Sequence, residues 1–506
     1  MSTEKPNILV IMTDTQRCDT LSFMGNPRAV SPNLDRLARE GVYFRQAHTS
    51  SPVCMPARCS FLTGLHTPVH GCIENGFDRR EGQTTLPDLM KAQGYTNIMV
   101  GKAHFGQIPA SFDIRHLSVE KPLPFNDGYT EHLKKHGYDR TRDHRHPTPI
   151  PEDIHMEAWL ADRTIESLEQ VRRESRMPFF AIFSMFSPHA TIDPPGKWAN
   201  LYDNLPLPEI NYVSGEENNQ PPMINRLLGL GPFTRPPRIE NLPPEMSAFA
   251  DEIRYHVYDP ANLDMLDKIR RNYYGLAAYC DAQVGRVLDY LDKTGLRKET
   301  LVVFTSDHGQ QYWDHGFNNK HTYYDASWRV PLVMSMPGTL SQGAVQDFAI
   351  WNDLTATVLG AAGTSYKPVQ GFDLFTPLAQ GKESPRRCGV GTLFTSCALA
   401  SRRWKLEYYF DEGNGRLFDR LKDPLERTDL YTSLDHKKVR DELLRALLTW
   451  RAGLTDVQFL TQVKSGLRAA PVAQLARRLV ADWHGYDGEQ RLNEAAERID
   501  RETEAL

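Results

Sequence analysis

Cys54 opens the run Cys54-Met55-Pro56-Ala57-Arg58, which leads into a short helical pattern and stops at Thr63-Gly64. A thiol at a helix N-terminus is a candidate nucleophile, because that position favours the thiolate. By residue type alone it is equally a buried free thiol, the usual place for a cysteine. Other reactive side chains recur at matching places. Asp14 follows the apolar run 7–12, Lys102 and His104 follow 96–100, His189 follows 179–187, and Asp307 with His308 follow 301–306. Asp14, Asp307 and His308 together suit Ca²⁺, Mg²⁺ or Mn²⁺ better than a zinc site dominated by His and Cys. His315 in the same stretch keeps zinc as the second choice. Any one of these residues alone reads as a turn former or helix cap. Charge at the same end of four strands does not.

These residues need elements to carry them. Short apolar, β-branched runs alternate with amphipathic helical patterns, which predicts an α/β fold on a large, mainly parallel sheet. Strands are expected at 7–12, 96–100, 179–187, 301–306 and 330–336. Helices are expected at 31–40, 157–171 and 263–291. In the first helix Ser31 is the expected cap, Pro32 takes the first turn and Gly41 stops it. In open α/β sheets ligands bind at the carboxyl ends of the strands, where the reactive residues fall. Residues 107–155 and 193–260 lack periodicity and read as loop insertions near a site entrance. Beyond residue 385 the pattern changes to strands at 404–410 and 417–430 and a helix at 437–454. The expected division is a catalytic unit at 1–385, a smaller C-terminal α+β subdomain at 386–464 and a charged helical tail at 465–506, which permits a homo-oligomer.

The 506 residues carry a formal charge of −5 with both signs interspersed, which disfavours a nucleic-acid partner. Seven cysteines, an odd number scattered along the chain, do not form a disulfide framework and fit a reducing compartment. The sequence shows no signal peptide and no membrane-spanning run, so a soluble, cytoplasmic protein is expected.

The motifs together resemble the sulfatase family of the alkaline-phosphatase superfamily, from about residue 5 to about residue 431. Cys54-x-Pro56-x-Arg58 is similar to the family's modification motif, and Gly101-Lys102-Ala103-His104-Phe105-Gly106 to its G-K-x-H-x-G. Ser187-Pro188-His189 and Ser306-Asp307-His308-Gly309 resemble its strand-end histidine and second metal motif. Lys320, ahead of Tyr324-Asp325-Ala326-Ser327 and Arg329-Val330-Pro331-Leu332, resembles its second lysine. Leu417-Phe418-Asp419 with Asp423-Pro424-x-Glu426 resembles its C-terminal signature. Thr15 departs from the pattern, which usually has a second Asp or a Gln there.

The resemblance implies an alkaline-phosphatase-like sheet sandwiched by helices. It also implies that a formylglycine-generating enzyme converts Cys54 to formylglycine. The implied reaction is hydrolysis of a small-molecule or carbohydrate sulfate ester by a formylglycine gem-diol nucleophile on one divalent metal, Ca²⁺ ranked before Mn²⁺ or Mg²⁺. Asp14, Cys54, Asp307 and His308 are the implied ligands. Arg58, Lys102 and Lys320 would stabilise charge, His189 or Lys320 would protonate the leaving oxygen, and His104 would act on the second gem-diol oxygen. Asn75 and Arg17 are the candidates for binding substrate, with an Asn-Gly turn at 75–76 and a surface charge at Arg17 as equal alternatives; His66, His70 and His321 stay open between structural and substrate-contacting roles. The competing readings are a phosphonate monoester or phosphodiester hydrolase with the same nucleophile, a non-catalytic metal-binding relative with unmodified Cys54, and a two-zinc phosphatase.

Overall fold

The computed structural model describes residues 5–118, 127–175, 177–216, 220–223, 263–454 and 488–504. The strands of the large sheet are β1 (Asn7–Thr13), β2 (Val42–His48), β3 (Thr96–Lys102), β4 (Ile114–Ser118), β5 (Phe179–Ser184), β6 (Thr300–Ser306), β7 (Leu332–Ser335) and β8 (Ala344–Ile350). They lie in the order β4-β3-β5-β1-β6-β7-β2-β8. β1 is parallel to β5 and β6, β3 to β4 and β5, and β2 to β8. β7 runs antiparallel to both its neighbours. The sheet is therefore mixed but mainly parallel, as the sequence predicts.

The unbroken apolar runs follow from burial on both faces. Along β1, Ile8, Val10 and Met12 point into one core with Met55, Phe61 and Leu62 of the helix Cys54–Thr63 and with Leu354 and Val358 of the helix Trp351–Ala361. Leu9 and Ile11 point into the opposite core. There they meet Leu34 and Leu37 of the helix Pro32–Arg39, Leu160 of Met156–Glu174, and Val284 and Leu288 of Leu263–Thr294. Each fully buried aliphatic contributes roughly 1.5–3 kcal/mol.

The smaller sheet comprises β9 (Gly389–Leu393), β10 (Ser396–Ala400), β11 (Trp404–Tyr409) and β12 (Asn414–Asp419), antiparallel in the order β12-β11-β10-β9. The helices Lys437–Gly453 and Gly488–Glu502 pack on it through Leu443, Leu447, Trp450, Leu492 and Ile499.

Some local expectations are corrected. Ser31 does not cap through its side chain; its hydroxyl donates to Asp35 Oδ1 at 3.0 Å and accepts from Ser22 N at 3.0 Å. The 179–187 strand ends at Ser184, and Met185 N then donates to the Met12 carbonyl. The 107–155 segment is not all loop: it contains β4 and the short helices Gly128–Lys135 and Arg140–Asp143. Of the other expected loop, residues 217–219 and 224–260 lie outside the described residues, as do 465–487 of the tail. No helix among the described residues is long and apolar enough to cross a membrane.

Candidate active site

The strand order brings the reactive residues together. β3, β5, β1 and β6 are consecutive neighbours, so their carboxyl ends lie side by side. Lys102 is the last residue of β3, Asp14 follows β1, Asp307 follows β6, and His189 lies five residues past β5. Backbone bonds fix the edge: Asp307 N donates to the Thr13 carbonyl at 3.2 Å, and Asp14 N to the Ser187 carbonyl at 3.4 Å. Gly101 is required here. Its φ is +96°, and a Cβ would collide with the Ser184 carbonyl oxygen on the neighbouring strand.

Cys54 is the first residue of its helix and is buried. Its Sγ lies 3.1 Å from His308 Nε2 and 3.8 Å from Asp14 Oδ1, and Lys320 Nζ donates to it at 3.2 Å. Burial and the Asp14 carboxylate push the thiol up, but Lys320, His308 and Lys102 outweigh them and hold it well below the usual thiol range. Asp14 behaves similarly: burial raises it, and Lys102, His189, Arg58 and His308 together hold it well below the usual carboxylate range. Asp307 is pushed up, first by burial and then by Asp14. His308 faces the Gly309 carbonyl through Nδ1 at 2.7 Å, which leaves Nε2 for the site.

The cations divide into two kinds. Arg58 is buried and committed to the protein: Nε donates to Asp307 Oδ2 at 2.8 Å and Nη2 to Asp14 Oδ2 at 3.1 Å. Its Nη1 donates to Ser184 Oγ at 2.8 Å and to the Lys102 carbonyl at 3.0 Å. Arg58 therefore braces the two carboxylates, and its charge also acts on the Cys54 thiol electrostatically. Lys102 Nζ pairs with Asp14 Oδ2 at 2.8 Å. Lys320 sits on the other side, between the Cys54 sulfur and His189 Nε2, the latter at 3.4 Å.

The remaining residues fall inside and outside this group. His189 Nδ1 faces the Ala190 carbonyl at 2.8 Å, turning Nε2 towards Lys320. His104 is half-buried just past β3 with φ 46°, and its Nδ1 has no hydrogen-bond partner among the described residues. Asn75 is exposed, and its Oδ1 accepts from Met55 N at 3.0 Å, tying down the first turn of the nucleophile helix. Arg17 does not fit the substrate role expected for it. Its guanidinium bonds Asp19, Asp314 and the carbonyls of Gln310 and Gln311, so its donors are used within the protein. The Thr15 hydroxyl donates to the Asp14 carbonyl at 2.7 Å, while its amide donates to Asp307 Oδ1 at 3.1 Å. His66 pairs with Glu489 and His70 with Ser60 Oγ, both away from the nucleophile. His315 pairs with Glu216 and stacks on Tyr324, so it does not join the proposed ligands. His321 pairs with Glu74 at 3.2 Å, next to Lys320 in sequence.

Comparison with known proteins places the chain in a family and a fold. The sulfatase family model matches residues 6–364, and the model for the N-sulphoglucosamine sulphohydrolase C-terminal region matches 313–453. The chain belongs to the sulfatase family. It is a sulfuric ester hydrolase with an alkaline-phosphatase-like fold. An arylsulfatase of Clostridium perfringens is 27% identical over 490 residues, covering 88% of this chain and 94% of that protein. An N-acetylglucosamine-6-O-sulfatase of Bacteroides thetaiotaomicron is 26% identical over 495 residues, covering 88% and 86%. The crystal structure of the phosphonate monoester hydrolase of Agrobacterium radiobacter superposes with a TM-score of 0.76 at 23% identity, covering 88% of this chain and 96% of that one.

In this sulfatase one potential ligand atom from each of Asp14, Cys54, Asp307 and His308 lies within 4.8 Å of the others, and all four residues are buried. Arg58 and Lys102 already pair with the two carboxylates, and the oxygen-rich set with one imidazole would also fit a hard divalent ion. Sequence reasoning missed Ser184 and Glu74. Ser184 ends β5 at the same sheet edge, so the strand-end rule was a usable signal; nothing in the sequence singles out Glu74.

Proposed function

We propose that this enzyme hydrolyses the sulfate ester of a carbohydrate or small molecule through a formylglycine made from Cys54. The observation that carries the reading is the Cys54 side chain at a helix N-terminus, enclosed by His308, Asp14 and Lys320. A divalent ion held by Asp14, Asp307, His308 and residue 54, Ca²⁺ before Mn²⁺ or Mg²⁺, would activate the nucleophile and screen the charge on the sulfate oxygens. The protein residues do the rest. Lys320, bonded to both the Cys54 sulfur and His189, is positioned to stabilise charge and to deliver a proton to the leaving oxygen with His189. Lys102 holds Asp14 ionised, and Arg58 keeps the two carboxylates apart and oriented. His104, half-buried beyond β3, takes the proton that releases sulfate.

The carbohydrate class is supported by the N-acetylglucosamine-6-O-sulfatase relative. On this reading residues 1–385 carry the chemistry, 386–464 form the C-terminal subdomain and 465–506 a tail available for self-association. Seven free cysteines support a reducing, cytoplasmic setting. The test is the mass of the tryptic peptide containing Cys54, from protein made with a formylglycine-generating enzyme. Conversion lowers that mass by about 18 Da, and the converted protein should turn over sulfate esters faster than phosphonate esters. An unmodified thiol, with the maturation enzyme active on a control, removes the reading. Preference for phosphonates redirects it to the competing substrate class.

A further inference from the structure

A second group of potential metal ligands lies apart from the cluster at Asp14 and Asp307. His144 ends the helix Arg140–Asp143, His155 precedes the helix Met156–Glu174, and Asp193 follows His189 by four residues. One ligand atom from each of the three lies within 4.8 Å of the others. His144 Nδ1 is 2.6 Å and His155 Nε2 is 3.6 Å from the same oxygen, Asp193 Oδ2. His155 is 1% exposed and Asp193 2%, so water does not solvate them freely.

His155 supplies an independent observation. Its Nδ1 is buried without a hydrogen-bond partner among the described residues, and its Nε2 has only the long 3.6 Å contact with Asp193. A buried imidazole left in that state costs about 1–3 kcal/mol per unsatisfied group, and such a group calls for an explanation. His144 has the opposite arrangement. Its Nδ1 faces Asp193, and its other ring nitrogen, Nε2, is fixed by the Tyr129 hydroxyl at 2.9 Å. That is the outer hydrogen bond that orients a metal-bound imidazole. The Glu157 Oε2, buried without a hydrogen-bond partner among the described residues, adds a carboxylate that acts electrostatically on His155 and Asp193.

We propose that His144, His155 and Asp193 form a second metal site, for a borderline cation of the Zn²⁺ class, separate from the centre at Asp14 and Asp307. Two imidazoles and one carboxylate are a zinc donor set and a poor match for Ca²⁺. Ligands about 2.0–2.1 Å from a tetrahedral zinc stand roughly 3.3 Å apart. The His155–Asp193 separation of 3.6 Å is near that spacing, and the His144–Asp193 pair at 2.6 Å opens on binding. The ion clips three segments together: the part of the 107–155 segment that carries His144, the start of a core helix and the loop that carries His189. It thereby positions His189 without touching substrate.

The test uses the full-length chain, stripped with chelator and carrying Asp307→Asn to disable the other centre. Zinc is titrated against a chromophoric chelator. The expected result is uptake of about one zinc ion per chain, lost when His155→Gln is added, with an unchanged far-UV circular dichroism spectrum in the absence of zinc. No uptake by the single variant, or equal uptake by both, overturns the proposal. A measurement without substitutions guards against variants that fail to fold. Anomalous diffraction at the zinc edge from the zinc-loaded chain should show a peak between His144, His155 and Asp193. Zinc confined to the Asp14 centre, or to surface histidines, overturns it.

Discussion

Replacing Arg58 by lysine tests the bracing role most directly. The guanidinium makes two charge-assisted hydrogen bonds, to Asp307 at 2.8 Å and Asp14 at 3.1 Å, and two more to Ser184 Oγ and the Lys102 carbonyl. A lysine ammonium keeps the charge but is a single point donor and cannot span both carboxylates. Losing one of the two bonds to a carboxylate costs about 1.5–3 kcal/mol, and each bond to an uncharged acceptor at least about 1 kcal/mol. The sum, roughly 3.5–5 kcal/mol, falls in the usual range for breaking a buried ion pair. Urea unfolding followed by tryptophan fluorescence, in chelator so that no ion compensates the carboxylates, reads this loss. Because Arg58 and Asp307 share a bond, Arg58→Lys and Asp307→Asn should also be non-additive in a double-mutant cycle. A variant within about 1 kcal/mol of the parent, with additive behaviour in the cycle, would refute the bracing argument.

Two further outcomes follow from the same physical reasoning. Glu489 accepts from Trp450 Nε1 and pairs with His66 and Arg386; burial raises its carboxyl, but Arg386 and His66 outweigh this and hold it at about 2 against an ordinary 4.5. A depressed folded pKa contributes stability above the unfolded value that is lost as pH falls from about 4.5 to about 2, here about 3 kcal/mol. Glu489→Gln should flatten the melting temperature against pH across that window, and parallel curves for the two proteins would count against it. Lys320→Ala should lower kcat by about 10²–10⁴-fold on unactivated sulfate esters. The loss should be smaller on esters with acidic leaving groups, which need less protonation; equal losses on both would rule out proton delivery by Lys320.

Much of the site was legible because its chemistry is tied to local pattern. A reactive residue just beyond an apolar run reads as a strand-end residue, and Asp14, Lys102, Asp307 and His308 lie there in the structure. Less was legible where a strand carries charge or sits at an edge. β2, with Arg45, and β8, with Asp347, pair on the outer part of the sheet, where polar side chains interrupt the apolar run; neither was anticipated. β4 is an edge strand whose Arg115 and His116 break the apolar pattern, so its sequence reads as loop.

The sequence by itself determined the chemical types, the α/β alternation and the family motifs, because periodicity and residue identity are local properties. Only the tertiary structure decided the order β3-β5-β1-β6, which makes neighbours of strand ends far apart in the chain. It also decided which cations are spent. Arg17 and Arg58 look like substrate-facing charges in sequence, yet burial forces each to satisfy its donors within the protein, leaving Lys320 beside the nucleophile. Burial and hydrogen-bond satisfaction depend on what packs around a residue, and no local pattern carries that information.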